Sequence, residues 1–345
     1  MDKRKKKRAD YNTCGYGYYH LCTDGWKDGR LFNSVAQFIY GVITIGLICI
    51  KYHVKVYCYC LMSNHVHIIL SGFGRDCVQA FDYLKRRISM RLRKDGNTPL
   101  PADYDFVLIP IADEEQMRAN VLYILRNPYE KLYCTPAGYI WGTGWLFFSQ
   151  FPEMIHGTRA KDFSKRKLIR MTGFDGPVPN DWEFHPDLGL LPKCVVETSL
   201  VTRLFSSVKG FETRLIKDYE TMIGVAGKLN EELDFTEEEI QDIVLQVSRE
   251  QYGNRTVKEL TKEEKYTLAI PLYIRFKMVP RIISQALFIP EKIVWQVLRS
   301  KDFGNRDSRH LGPVSPAKSA IIVGDAVPGV PPHLQIRSKT LVTRD

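Results

Sequence analysis

The run Cys60-Leu61-Met62-Ser63-Asn64-His65-Val66-His67-Ile68-Ile69-Leu70 sets two histidines on either side of one valine, with aliphatic residues behind them. Side chains alternate faces along an extended strand, so His65 and His67 share one face while Val66 turns toward a core. Two neutral imidazoles on one face make half of a divalent-metal site. Further ligands and a nucleophile have to come from elsewhere. The segment Asn120-Val121-Leu122-Tyr123-Ile124-Leu125-Arg126-Asn127-Pro128 offers both. Tyr123 and Asn127 are four apart and fall on one helical face. Asn127 can give a carbonyl oxygen to a cation, and two imidazoles plus one amide oxygen leave positions open for a substrate phosphate. A metal so placed polarises a phosphoryl oxygen and offsets transition-state charge. Tyr123 could then attack phosphorus and form a phosphotyrosine. A free tyrosine titrates near ~10, so it needs such a cation or a nearby base. Singly, each signal has an ordinary explanation. His-x-His occurs in strands without metal, a tyrosine on an apolar helix is usually core, and Asn before Pro stops a helix. His20 reads as a strand residue packing near the site, with no assigned role.

These groups need a scaffold. Tyr16 to Leu21 reads as a first strand. Ser34 caps an apolar helix running to about Ile50. Residues 53–61 and 65–70 read as two strands joined by a short turn at Ser63-Asn64, hence an antiparallel hairpin. Val78 to Lys94 is an amphipathic helix with Phe81, Leu84, Ile88 and Leu92 on one side. Lys85, Arg86, Arg87, Arg91, Arg93 and Lys94 form its basic face, a surface suited to a DNA backbone. Val107 to Ile111 is a short strand, and Glu114 to Asn127 a helix ended by Pro128. This order predicts an α+β fold: a ferredoxin-like antiparallel sheet with helices on one face.

The chain has 345 residues, enough for two domains or more, with 49 Lys+Arg against 39 Asp+Glu for a net charge of +10. That balance favours a polyanionic partner. None of the 8 cysteines falls in a CxxC pair, which argues against a zinc ribbon or a disulfide framework and for a reducing compartment. The apolar stretch Val35 to Ile50 is 16 residues, short of the ~20 a membrane span needs. The N-terminus is charged where a signal peptide would be apolar. We expect a cytoplasmic, nucleoid-associated protein. Residues 1–12 read as a disordered basic arm, 13–150 as the site-bearing domain and 151–195 as an irregular connector. Residues 196–300 read as a helical region and 301–345 as a flexible tail. Capping boxes at Thr236-Glu239 and Thr261-Glu264 start two of the helices. The short break at Ile289-Pro290 gives the last two a helix-turn-helix-like spacing.

Tyr19-His20, the run Leu61-Met62-Ser63-Asn64-His65-Val66-His67, Tyr123-Ile124-x-x-Asn127-Pro128 and the turn Gly138-Tyr139-x-Trp141-Gly142 resemble the single-tyrosine HUH transposases. The branch they most resemble is the one associated with repetitive extragenic palindromes. The resemblance covers roughly residues 13–150. It implies a metal-dependent endonuclease acting on hairpin-bearing single-stranded DNA. It further implies a 5′-phosphotyrosine intermediate, a free 3′-hydroxyl and no nucleotide cofactor. It makes His65, His67 and Asn127 the metal ligands and Tyr123 the nucleophile. The implied metal is magnesium or manganese, though imidazole ligands do not exclude zinc. A homodimer is allowed, because a tyrosine helix can serve its own site or a neighbour's. Two other functions stay open on the residues alone: a DNA-binding regulator that no longer cuts, and a metal-dependent phosphodiester hydrolase that activates water.

Overall fold

Near-continuous apolar runs in the strands call for cover on both sides of a sheet, and the computed structural model of the chain provides it. It describes residues 3–25, 29–132, 135–149, 152–205, 207–217, 219–229, 231, 235–253 and 255–300; the tail expected from 301 lies outside them. The first elements are α1 (Lys3–Thr13), β1 (Tyr16–Thr23), α2 (Val35–Tyr52), β2 (Lys55–Leu61), β3 (Val66–Phe73), α3 (Gly74–Lys94), β4 (Phe106–Ile111) and α4 (Glu114–Leu132). The four strands form one antiparallel sheet in the order β2-β3-β1-β4. The α+β class is the one the sequence predicts. Cys60 and Cys22 pair with His67 from either side, and His20 pairs with Ile69 and Ile109. Paired residues share a face. One face therefore carries His20, Cys22, His67 and Ile69, and the other Leu21, Val66, Ile68 and Leu70.

α2 and α3 both cover the Val66 face. Phe81 of α3 stacks on Phe106 at 4.2 Å, and Gly41 of α2 packs against Leu61. α4 crosses the opposite face, where Asn120 meets His20. The expectation of helices on one face is thus corrected: β3 is buried on both sides except at Phe73. The expected disordered arm is corrected as well, since it forms α1. Arg8 bonds Asp82 (2.9 Å) and Asp105 (3.0 Å) and lies over the rings of Phe81 and Phe106. Tyr11 packs on Phe106, and its hydroxyl accepts the Leu108 backbone N–H.

α2 is 18 residues long and apolar enough, by length and composition, to cross a membrane. In the fold it is a core helix, burying Phe38, Ile45, Leu47 and Ile48. Its outer side is covered by residues expected to be a connector. After α5 (Gly144–Phe148), the chain forms β5 (Thr158–Arg159), α6 (Lys165–Thr172), β6 (Glu183–His185) and β7 (Gly189–Leu190), with the strands ordered β5-β6-β7. Trp182 and Leu190 are buried where Gly46 leaves room for them. A Cβ at Gly46 would run into Leu190 Cδ2 and lie 3.0 Å from Trp182. Gly46→Ala should gain about 1 kcal/mol of helix propensity and lose about 2 kcal/mol to overpacking. The net effect is a melting temperature lower by about 2–4 °C, read by circular dichroism. A higher melting temperature would mean that this layer is not seated on α2.

The described residues divide into two compact units. The first runs to residue 215 and takes in 228–229, and the second comprises 216–227 and the described residues from 231 on. The first unit ends with α7 (Thr198–Leu204) and most of α8 (Val208–Lys217); the second holds most of α9 (Tyr219–Leu229), α10 (Glu237–Tyr252), α11 (Lys262–Ile274), α12 (Pro280–Leu287) and α13 (Glu291–Ser300). Both expected capping boxes form, at the starts of α10 and α11. α11, α12 and α13 close around Leu268, Leu272, Ile283, Leu287 and Val294.

Candidate active site

Asn120, Tyr123 and Asn127 stand at i, i+3 and i+7 on α4, one stripe facing the sheet. All three are buried. Opposite them lie three histidines, not two. His67 and His20 are fully buried, and His65 is 8% exposed. The His65 and His67 rings meet edge to face at 4.7 Å. The Tyr123 ring lies edge to face with His67 at 5.6 Å and tilted to His20 at 6.2 Å. The structure therefore brings the four sequence-predicted residues His65, His67, Tyr123 and Asn127 together and adds His20 and Asn120. His20 was legible as a strand residue. Its role depends on β1 lying next to β3, which spacing within β1 does not reveal.

Hydrogen-bond logic fixes the protons of the His20–His67 pair. Asn120 Nδ2 donates to the Gln116 carbonyl (2.7 Å), so its Oδ1 accepts from His20 Nδ1 (2.7 Å). Burial lowers the His20 pKa to about 4, so the ring is neutral and its Nε2 is bare. His67 Nδ1 then donates to His20 Nε2 (3.1 Å). This leaves the Nε2 lone pair of His67 as its ligating atom. Burial, then the neighbouring His65 and His20, hold the His67 pKa well below 6.5. Asn127 Nδ2 donates to the Tyr123 carbonyl (3.0 Å), which fixes Oδ1 as the atom 3.2 Å from His65 Nε2. His65 Nδ1 lies 2.8 Å from Asn64 Oδ1. With the His65 proton on Nδ1, His65 Nε2 and Asn127 Oδ1 present two lone pairs 3.2 Å apart. Neighbouring ligands of an octahedral ion with bonds of about 2.1 Å are roughly 3 Å apart. The donor set of two neutral imidazoles and one amide oxygen therefore fits a divalent metal.

Pro128 does not end α4, which runs on to Leu132. The proline removes the N–H that would bond the Ile124 carbonyl. The turn before it is held by the Asn127 side chain and by Arg126, which is 1% exposed and donates to the Leu215 carbonyl (3.0 Å). The Gly138–Gly142 turn has a structural role: Leu61 N–H donates to Trp141 O and Thr143 N–H to Tyr59 O (both 3.0 Å), covering the edge of β2. Trp141 stacks on Phe38 at 4.9 Å.

The expected basic surface on α3 is divided, and it lies across the sheet from the histidines. Arg87 is buried, donating to the carbonyls of Thr172 and Gly173 and to Thr44 Oγ1. Lys85 donates to the carbonyls of Ala102 and Tyr104, and Arg91 pairs with Asp95 at 2.7 Å. Arg86, Arg93 and Lys94 are exposed. Arg87 is removed from the predicted surface because the layer containing α6 folds over it.

No family model matches the chain, and no curated protein matches it. Among solved structures, the chain is similar in part to a REP-associated tyrosine transposase bound to a REP hairpin. The TM-score is 0.32 and the identity 14%, and the match covers 39% of this chain and 80% of that one.

Proposed function

We propose that this chain is a metal-dependent endonuclease and strand transferase acting on hairpin-bearing single-stranded DNA. One observation carries the reading: His65, His67 and Asn127 converge with Tyr123 on a single sheet face. The bound cation, magnesium or manganese, would draw charge from the non-bridging phosphoryl oxygens. His65 Nε2, His67 Nε2 and Asn127 Oδ1 would hold it. Tyr123 Oη attacks phosphorus, forming the Oη–P bond as the P–O3′ bond breaks. The phenol gives up a proton and the departing 3′ oxygen gains one, leaving a 5′-phosphotyrosine and a free 3′-hydroxyl. Rejoining is the same step reversed. We read the sheet order as ferredoxin-like and α11–α13 as a helix-turn-helix reader of duplex flanks, with two copies acting as a homodimer.

The test is a denaturing gel. Full-length protein with magnesium or manganese meets labelled single-stranded hairpin DNA from the flanks of its own gene. A covalent protein–DNA band supports the proposal. Cleavage without a covalent band would point to water activation instead. Binding with neither would support the DNA-binding regulator, a reading favoured by the burial of Tyr123, which is only 4% exposed.

The proton relay makes a separate prediction. Asn120→Leu removes the acceptor for His20 Nδ1–H and frees His20 to carry its proton on Nε2. His67 then has to accept at Nδ1 and protonate its ligating Nε2. Manganese affinity should fall about 10–100-fold, measured by calorimetric titration. Unchanged affinity would mean that the relay does not set the His67 tautomer.

A further inference from the structure

Along the same sheet face, beyond His20, three large rings stand in solvent. Tyr16 is 62% exposed, Phe73 44% and Tyr18 39%. Tyr16 pairs with Phe73 across β1 and β3, and Tyr18 with Ser71, in the ladder that pairs His20 with Ile69 and Cys22 with His67. Alternation puts the rings on the histidine side. They are fixed in place. Tyr16 and Phe73 meet edge to face at 5.6 Å, and Tyr18 meets Tyr57 at 5.2 Å. The hydroxyls of Tyr16 and Tyr57 both hydrogen-bond Ser71 Oγ, at 3.3 and 3.2 Å. Two cations flank them. Lys55 is exposed and registers with Ser71, and Arg75, 65% exposed, lies over the Phe73 ring at 5.2 Å.

We propose that this patch is a stacking platform for the unpaired bases of single-stranded DNA on its way to Tyr123. The proposal rests on the nuclease reading for its destination, but not for its chemistry. Exposed rings with cations at their margin match a strand of flat bases joined by phosphates, whereas duplex DNA keeps its base faces covered. The span fits too. Tyr16 and His20 are four residues apart, roughly 13 Å along a strand, about four stacked nucleotides at ~3.4 Å each.

The experiment is fluorescence anisotropy with a labelled, unstructured 12-nucleotide DNA. It is run on the full chain in EDTA so that binding is read without cleavage. Each ring removed, as Tyr16→Ala, Tyr18→Ala or Phe73→Ala, should weaken binding about tenfold. Tyr16→Phe and Tyr18→Phe should stay within about twofold of wild type, and an abasic oligonucleotide should bind wild type as weakly as intact DNA binds the triple alanine variant. Unchanged binding by the triple variant, or tighter binding of duplex than of single strand, would overturn the platform. So would loss of self-association, in sedimentation, on removing the rings, because a second copy of the chain would then be what covers the patch. The two proposals fail separately. A protein that never forms a covalent band but loses strand binding with its rings keeps the platform and loses the nuclease. One that cuts normally without the rings keeps the nuclease and loses the platform.

Discussion

Tyr123→Phe should leave hairpin DNA binding within about twofold of wild type and remove the covalent protein–DNA product, a loss of roughly 10^4-fold or more in cleavage. The substitution deletes one oxygen and keeps the ring. That ring packs against His67 and His20, so the cluster and the fold around it should survive, and an unchanged melting temperature would confirm that. No other hydroxyl is offered by the α4 stripe at 120, 123 and 127 to take over the attack. His65→Ala should also abolish the product, but by another route: it removes one of the two donors 3.2 Å apart, and manganese binding should weaken with it. Comparing the two variants separates nucleophile from ligand. Tyr123→Phe should still bind manganese as wild type does, and His65→Ala should not. Cleavage that survives Tyr123→Phe would rule out the phosphotyrosine and leave water as the nucleophile.

Much of this site was legible before folding because its signals are local. Two-residue alternation placed His65 and His67 on one side, and four-residue spacing placed Tyr123 beside Asn127; the site has both. What sequence reading missed depends on partners far along the chain. His20 owes its position to a β1–β3 ladder, and Asn120 bonds it across 100 residues. Arg87 looked like surface because its helix is basic. It is buried because residues 172 and 173 supply carbonyls from a layer that composition suggested was irregular. The N-terminal arm failed in the same way. A run of lysines argues for disorder until Arg8 finds Asp82 and Asp105. Pro128 marks a helix end by local rules, and packing carries α4 past it.

The relay that orients His67 also makes the fold acid-sensitive, with a sign that can be worked out. In the unfolded chain His20 takes up a proton near 6.5, whereas in the fold burial delays that to about 4. Between those values the unfolded state binds more protons, so stability rises with pH across the window. The full contribution is present above about 6.5 and is lost as pH falls toward 4. Below that the folded ring protonates too and the loss stops growing. The interval corresponds to about 3 kcal/mol for His20 alone, and His67 adds to it in the same direction. Urea midpoints at pH 7, 5.5 and 4.5, in EDTA, should therefore fall steeply for wild type. His20→Gln should start lower at pH 7, because its shorter amide cannot bridge Asn120 and His67 as the imidazole does, but it should lose less on acidification. Carboxylates with lowered pKa, such as Asp95 and Glu183, titrate in both proteins and cancel in the comparison. Parallel curves for the two proteins would mean that the folded His20 titrates near its ordinary value. Water would then reach the cluster, and His20 would lose the lone pair that accepts from His67 Nδ1 below about 6.5 rather than below about 4.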